Sequence, residues 1–166
     1  VEELTLTGKV EYDPDRVINY VPLISGVIEK TYFSLGDKVQ RGQSLADIRS
    51  TELSMLQSEL ISLESEIKIA DRELKMAKEL FQDNLLSEKE LLETQAKVNQ
   101  AKASLKRIEM DMSLYGYNPA NNTFSIKAPM TGYIVFKNIS SGSTISSNSE
   151  PLFTIADLSS VWITAN

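Results

Sequence analysis

The sequence predicts a mixed α and β fold, a β-sandwich made in two halves and interrupted by a long antiparallel α-helical coiled-coil hairpin. Three observations predict it. Glycine and proline are absent from residues 43–115, the apolar residues inside that gap keep two successive heptad series, and the segments on either side carry one repeated pattern of glycines and β-branched residues.

The gap is read first. An uninterrupted helical region requires that no residue break the backbone ladder, and the glycines at 8, 26, 36, 42, 116, 132 and 142 and prolines at 14, 22, 119, 129 and 151 all fall outside it. Leu53, Leu56, Leu60, Leu63, Ile67, Ala70, Leu74, Ala77 and Phe81 alternate in steps of three and four, the seam of a supercoiled helix. Leu91, Thr94, Val98, Ala101, Leu105, Ile108, Met112 and Tyr115 form a second seam. Two seams in succession predict a pair of helices packed on each other, with Phe81 near Leu91 and Leu53 near Tyr115.

Between the seams, Ser87 and Glu90 have the S-x-x-E spacing of a capping box, and Leu86 and Leu91 that of a hydrophobic staple. The chain therefore turns at 83–87. Ser50 or Thr51 suits the start of the first helix, and Gly116 suits a left-handed C-terminal cap for the second. Helices of about 30 residues at 1.5 Å rise make a hairpin roughly 45–50 Å long. Its thirteen acidic and nine basic residues lie mostly off the seam, as on the solvated flanks of a coiled coil, where they could also face neighbouring hairpins in a ring.

The flanks repeat each other. Gly26, Ile28, Gly36, Val39 and Gly42 recur 106 residues later as Gly132, Ile134, Gly142, Ile145 and Asn148, and after one inserted residue Leu45 and Ile48 recur as Leu152 and Ile155. Each half reads as short strands joined by turns. A unit of roughly 35–40 residues is too small to bury a core alone, so the halves must complete one another, and the hairpin is an insertion between them.

Composition removes several functions. The chain has no cysteine and no histidine, which excludes disulfides, thiolate chemistry and the commonest general base and metal ligand. A net charge of −6 argues against nucleic acid, which needs clustered cations. Carboxylate pairs such as Glu64 and Glu66 stand at i, i+2 on a helix and do not face one another. The methionines, Met55, Met76, Met110, Met112 and Met130, are scattered and form no soft-metal cluster. No catalytic residue, cofactor or metal site is expected. The chain begins at Val1 with neither a signal sequence nor an apolar span, so any leader or anchor is expected to lie outside these residues.

Gly26-Val27-Ile28 with Leu35-Gly36-Asp37-Lys38-Val39-Gln40-Arg41-Gly42-Gln43-Ser44-Leu45 resembles the first half of a biotinyl/lipoyl-like domain. Ile126-Lys127-Ala128-Pro129-Met130-Thr131-Gly132-Tyr133-Ile134, with Gly142 and Leu152 to Leu158, resembles the second. The split arrangement resembles the periplasmic adaptors, or membrane fusion proteins of the HlyD-like family, of tripartite efflux pumps, and the opening Thr7 to Asp13 resembles those of heavy-metal RND pumps. The resemblance implies five segments: 1–19, a partial β-barrel strand segment; 20–50, the first lipoyl-like half; 51–116, the coiled-coil hairpin; 117–158, the second half; and 159–166, the start of a truncated barrel. It also implies that residues 1–19 and 159–166 lack strand partners.

As partners it implies an inner-membrane RND transporter, a TolC-type outer-membrane channel and further copies in a ring, with no nucleic acid. The protein would be periplasmic and anchored to the inner membrane by a segment outside these residues, with heavy-metal cations as favoured cargo. An ABC-type or drug RND exporter is the alternative. From other classes, a biotin or lipoate carrier would need a lysine in a tight turn where the hairpin stands, and a coiled-coil spacer would need no two-half base. The family's tip motif, an Arg, a Leu four residues on and a Ser seven after that, falls on Met76, Leu80 and Ser87, with Met76 in place of the Arg and Lys75 and Lys78 beside it. These three are the expected channel-docking residues.

Overall fold

The computed structural model describes residues 7–165. The chain divides into two compact units, one made of the segments up to Ser50 and from Asn118 onward, the other of Thr51–Tyr117. In chain order the elements are β1 (Gly8–Tyr12), a 3-10 turn (Pro14–Arg16), β2 (Val17–Tyr20), β3 (Gly26–Thr31), β4 (Lys38–Val39), β5 (Ser44–Arg49), α1 (Thr51–Gln82), α2 (Glu88–Leu114), β6 (Tyr117–Asn118), β7 (Thr123–Lys127), β8 (Gly132–Lys137), β9 (Thr144–Ile145), β10 (Phe153–Ala156) and β11 (Val161–Ala165).

The β unit is built by exchange between the repeats. One sheet has the order β2-β10-β8-β4, a hairpin of the second repeat flanked by strands of the first; the other has the order β6-β7-β5-β3-β9, the converse. Register follows the repeat residue by residue. Val27, Ile28, Lys30 and Thr31 pair with Arg49, Ile48, Asp47 and Ala46, and their counterparts Tyr133, Ile134, Phe136 and Lys137 pair with Ala156, Ile155, Thr154 and Phe153, with the register shift at the same place.

Turns dock reciprocally. The Gly36 amide donates to the Ile134 carbonyl (2.8 Å) and the Ile134 amide to the Asp37 carbonyl (2.9 Å), while the Gly142 amide donates to the Ile28 carbonyl (2.7 Å) and the Ile28 amide to the Ser143 carbonyl (2.9 Å). The Arg41 amide donates to Thr131 Oγ1, and its counterpart, the Ser147 amide, donates to Ser25 Oγ, each at 3.1 Å. These bonds flank β4 and β9, strands only two residues long that pair with β8 and β3 of the opposite repeat. The core is repeated too: Ile28, Val39, Leu45 and Ile48 are buried, as are Ile134, Ile145, Leu152 and Ile155.

Two further features extend the repeat beyond what the glycine pattern marks. The strand β2 stands to β10 as β7 stands to β5, and the polar pair between them recurs, Thr154 Oγ1 to Asn19 Oδ1 (2.7 Å) answering Ser125 Oγ to Asp47 Oδ1 (2.8 Å). Asp13 Oδ1 accepts from the Asp15 amide and Asn118 Oδ1 from the Ala120 amide, each at 3.0 Å, so Tyr12-Asp13-Pro14 and Tyr117-Asn118-Pro119 make the same turn.

These pairings correct the expectation that the terminal segments lack strand partners. Residues 17–19, assigned by the sequence to the opening barrel segment, belong to β2 and pair with β10. The remaining described parts of 1–19 and 159–166 pair with each other, Gly8 opposite Ala165 through Tyr12 opposite Val161. Arg16 ties this region to the sheet: its Nη1 donates to Ser159 Oγ (2.9 Å) and Asp157 Oδ2 (3.3 Å), and its carbonyl accepts from the Asp157 amide (3.0 Å). Residues 1–6 and 166 lie outside the described residues.

Where each repeat's hairpin crosses closest, only glycine fits. A Cβ on Gly26 would stand 2.5 Å from the Arg49 carbonyl oxygen, and one on Gly132 2.6 Å from that of Ala156. Gly26→Ala and Gly132→Ala are each expected to cost about 1–3 kcal/mol through overpacking, read by chemical denaturation. Gly42 (φ 84°) has Asn148 (φ 58°) as its counterpart, so Asn148→Gly is expected to change stability by less than about 1 kcal/mol.

Candidate functional site

The helix unit forms where the seam predicts. Every residue of the first series from Leu53 to Ala77 and of the second from Leu91 to Tyr115 is buried or half-buried, and Ala70, Leu74 and Val98 pack with Leu91 in one cluster. Ion pairs Asp71–Lys102 (3.3 Å) and Glu59–Arg107 (3.5 Å) run in opposite sequence directions on α1 and α2, so the helices are antiparallel. These pairs are largely exposed and add little to stability; the seam carries it.

Phe81 is the exception. Expected in the seam, it is 39% exposed, and Ala77 is the last fully buried residue of α1. The seam thins toward the turn, where α1 stops at Gln82.

Two caps define the turn. The Asn84 amide donates to the Phe81 carbonyl (3.0 Å) and the Leu85 amide to the Leu80 carbonyl (2.8 Å), with Asn84 at φ 57°, a Schellman ending with asparagine in the left-handed position. Ser87 then caps α2: its Oγ accepts from the Glu90 amide (3.2 Å), while Glu90 Oε2 accepts from the Ser87 amide (3.0 Å) and hydroxyl (2.7 Å). The Ser87 amide, and secondarily its hydroxyl, hold the Glu90 carboxyl below its ordinary pKa.

The residues expected for docking fall around this turn. Met76 is 58% and Leu80 39% exposed, and at i, i+4 they share one face of α1. Ser87 lies across the turn, its side chain engaged by the capping box. The sequence reading missed Leu85, 72% exposed within the turn, and Leu92, exposed on α2, where Glu88, Lys89, Glu93 and Ala96 join it around a shallow depression. A leucine directly after a left-handed cap and outside both seams is the signal that could have marked Leu85. Five apolar side chains, Met76, Leu80, Phe81, Leu85 and Leu92, are thus left exposed near one turn.

The family model described as the CzcB-like barrel-sandwich hybrid domain matches residues 16–157. The chain belongs to that family. The cobalt-zinc-cadmium resistance protein CzcB of Cupriavidus metallidurans is 30% identical over 158 residues, which cover 93% of this chain and 30% of that protein. The cation efflux system protein CzcB of Alcaligenes sp. matches to the same extent. The chain therefore spans about a third of the length of these curated relatives. Among solved structures, ZneB from C. metallidurans is similar with a TM-score of 0.65 at 24% identity, covering 95% of this chain and 67% of that one. A MacA–MexA chimera carrying the Pseudomonas aeruginosa MexA α-hairpin domain is similar with a TM-score of 0.71 at 21% identity, over 96% and 55%. These similarities show a shared fold, and the family match begins at residue 16, one residue before β2.

Two outcomes follow from the tip and the seam. Because the Glu90 pKa is depressed in the folded chain, the capping box contributes stability that is present above the carboxyl's unfolded pKa and lost as pH falls through the folded value. Amide exchange at residues 84–90, corrected for its intrinsic pH dependence, should lose protection across that acid window, and Glu90→Gln should abolish the step. Leu74→Ala in the seam cluster should cost about 2–5 kcal/mol by thermal melting.

Proposed function

We propose that this chain is the split lipoyl-like sandwich and coiled-coil hairpin of a periplasmic adaptor, which joins an inner-membrane RND transporter to a TolC-type outer-membrane channel for efflux of heavy-metal cations. The observation that carries the reading is the ring of exposed apolar side chains at the turn of a long helix pair, in a chain whose family and curated relatives are of the CzcB type. The chain's task is mechanical. It performs no reaction and holds no cofactor; it presents an apolar tip to a channel.

Met76 and Leu80 supply the docking contact from one face of α1, and Phe81 and Leu85 enlarge it. Ser87 shapes the turn as a cap and presents its remaining hydrogen-bonding capacity to the channel. Ile61 and Ile69 on α1, and Met110 and Leu114 on α2, are exposed outside the seam; they suit side-by-side packing with further copies in a ring around a conduit. The cation cargo is supported by the names of the curated relatives.

Leu80→Asp tests the docking role. Its side chain is outside the seam, so circular dichroism and melting temperature should stay near wild type while crosslinking to the channel and efflux complementation are lost. Ser87→Asp should keep the N-cap, since aspartate caps as well as serine, yet reduce crosslinking. Normal efflux by Leu80→Asp would show that the channel is met by another surface.

A further inference from the structure

The β unit contains little that requires its two repeats to belong to one chain. Pairings β1·β11, β2·β10, β4·β8, β5·β7 and β3·β9 each join a strand before α1 to a strand after α2, and the helix seam joins α1 to α2. The reciprocal turn bonds do the same. All of these contacts would form equally well if the part before the turn came from one copy and the part after it from another. The covalent link between the two parts is the turn 83–87 alone.

That turn is held closed by local chemistry. The Schellman bonds of Asn84 and Leu85 end α1, and the reciprocal bonds of Ser87 and Glu90 start α2. Without them the segment has no glycine or proline to prevent a continuous helix, since none occurs in 43–115, and Asn84 is its one residue at positive φ.

We propose that these caps act as a closure device, deciding whether the first repeat is completed by the second repeat of its own chain or by that of a second copy. With the turn straightened, α1 and α2 become one helix that pairs antiparallel with the same helix of the other copy, rebuilding the seam and giving two complete β units per dimer. The partner is a second copy of this chain, and the surface it meets is the internal one already described. The inference is independent of the adaptor reading, which concerns the outside of the tip.

The test refolds the full chain at high concentration and measures mass by size-exclusion chromatography with light scattering. Wild type is expected to be monomeric at the end. Asn84→Ala/Ser87→Ala/Glu90→Ala should raise the ratio of dimer to monomer by about tenfold, the order that loss of a helix cap implies, and deletion of residues 84–86, which leaves Phe81 and Leu91 one heptad apart, should give dimer throughout. Exchange is separated from side-by-side association by complementation in the triple variant. Val39→Asp spoils the first repeat and Ile145→Asp, its counterpart, the second; both positions are buried. Refolded alone, each should lose its β signal. Refolded together, they should recover one sound β unit per pair, made from the intact repeat of each chain. Recovery no greater than that of either variant alone, or a folded monomer from the turn deletion, overturns the proposal.

Discussion

The structure depends on one constraint, the exchange of backbone hydrogen bonds between two repeats that cannot satisfy themselves. Buried amides and carbonyls must be paired, and the two-residue strands β4 and β9 find their partners only on β8 and β3, in the opposite repeat. The Gly36–Ile134 and Gly142–Ile28 contacts fasten the same turns a second time. Each repeat supplies partners that the other lacks, and the covalent helix pair raises the local concentration of each for the other.

The skeleton is symmetric but its filling is not. Beneath the β2-β10-β8-β4 sheet, Phe153 stacks on Tyr20 with centroids 4.8 Å apart and meets Phe33 edge-on at 5.4 Å, and Lys137 lies over the Phe33 ring while donating to its carbonyl. The corresponding places around the other sheet hold Ala46, Ile126 and Ile139, all aliphatic and buried. Burial raises the Tyr20 pKa, as expected of a phenol sealed in such a stack. Backbone pairing tolerates this difference because it fixes only register; the volume on each side is then filled independently.

Much of this was legible because glycines and heptads leave plain signals. Gly26 and Gly132 mark crossings where no Cβ fits, and the alternation from Leu53 to Ala77 is that of a packed seam. The correspondence of β2 with β7 was hidden for a physical reason. Both are short strands whose partners set their register, so Val17-Ile18-Asn19-Tyr20 and Thr123-Phe124-Ser125-Ile126 need share only alternation, not residues. The shared Tyr-Asx-Pro turn was visible, but it sits 105 rather than 106 residues apart, one residue out of step with the glycines. At the tip, periodicity placed Phe81 in the seam, while its exposure depends on where α1 stops, which caps rather than periodicity determine. The docking roles proposed for Met76, Leu80 and Ser87 rest on family resemblance alone; nothing in their spacing distinguishes them from other surface residues of a helix end.

The β5·β7 pairing has a consequence for how such chains can change length. The helix pair leaves the β unit from the end of β5 and returns to it before β7, and those two strands are hydrogen-bonded neighbours. Whatever lies between them must therefore begin and end side by side, and beyond that its extent is unconstrained by the base. Adding one heptad to each helix preserves the seam and lengthens the pair by about 10 Å, at 1.5 Å per residue, without moving a strand. The length of the helix pair is in this sense a ruler that can be reset in seven-residue increments, while the β unit stays the same.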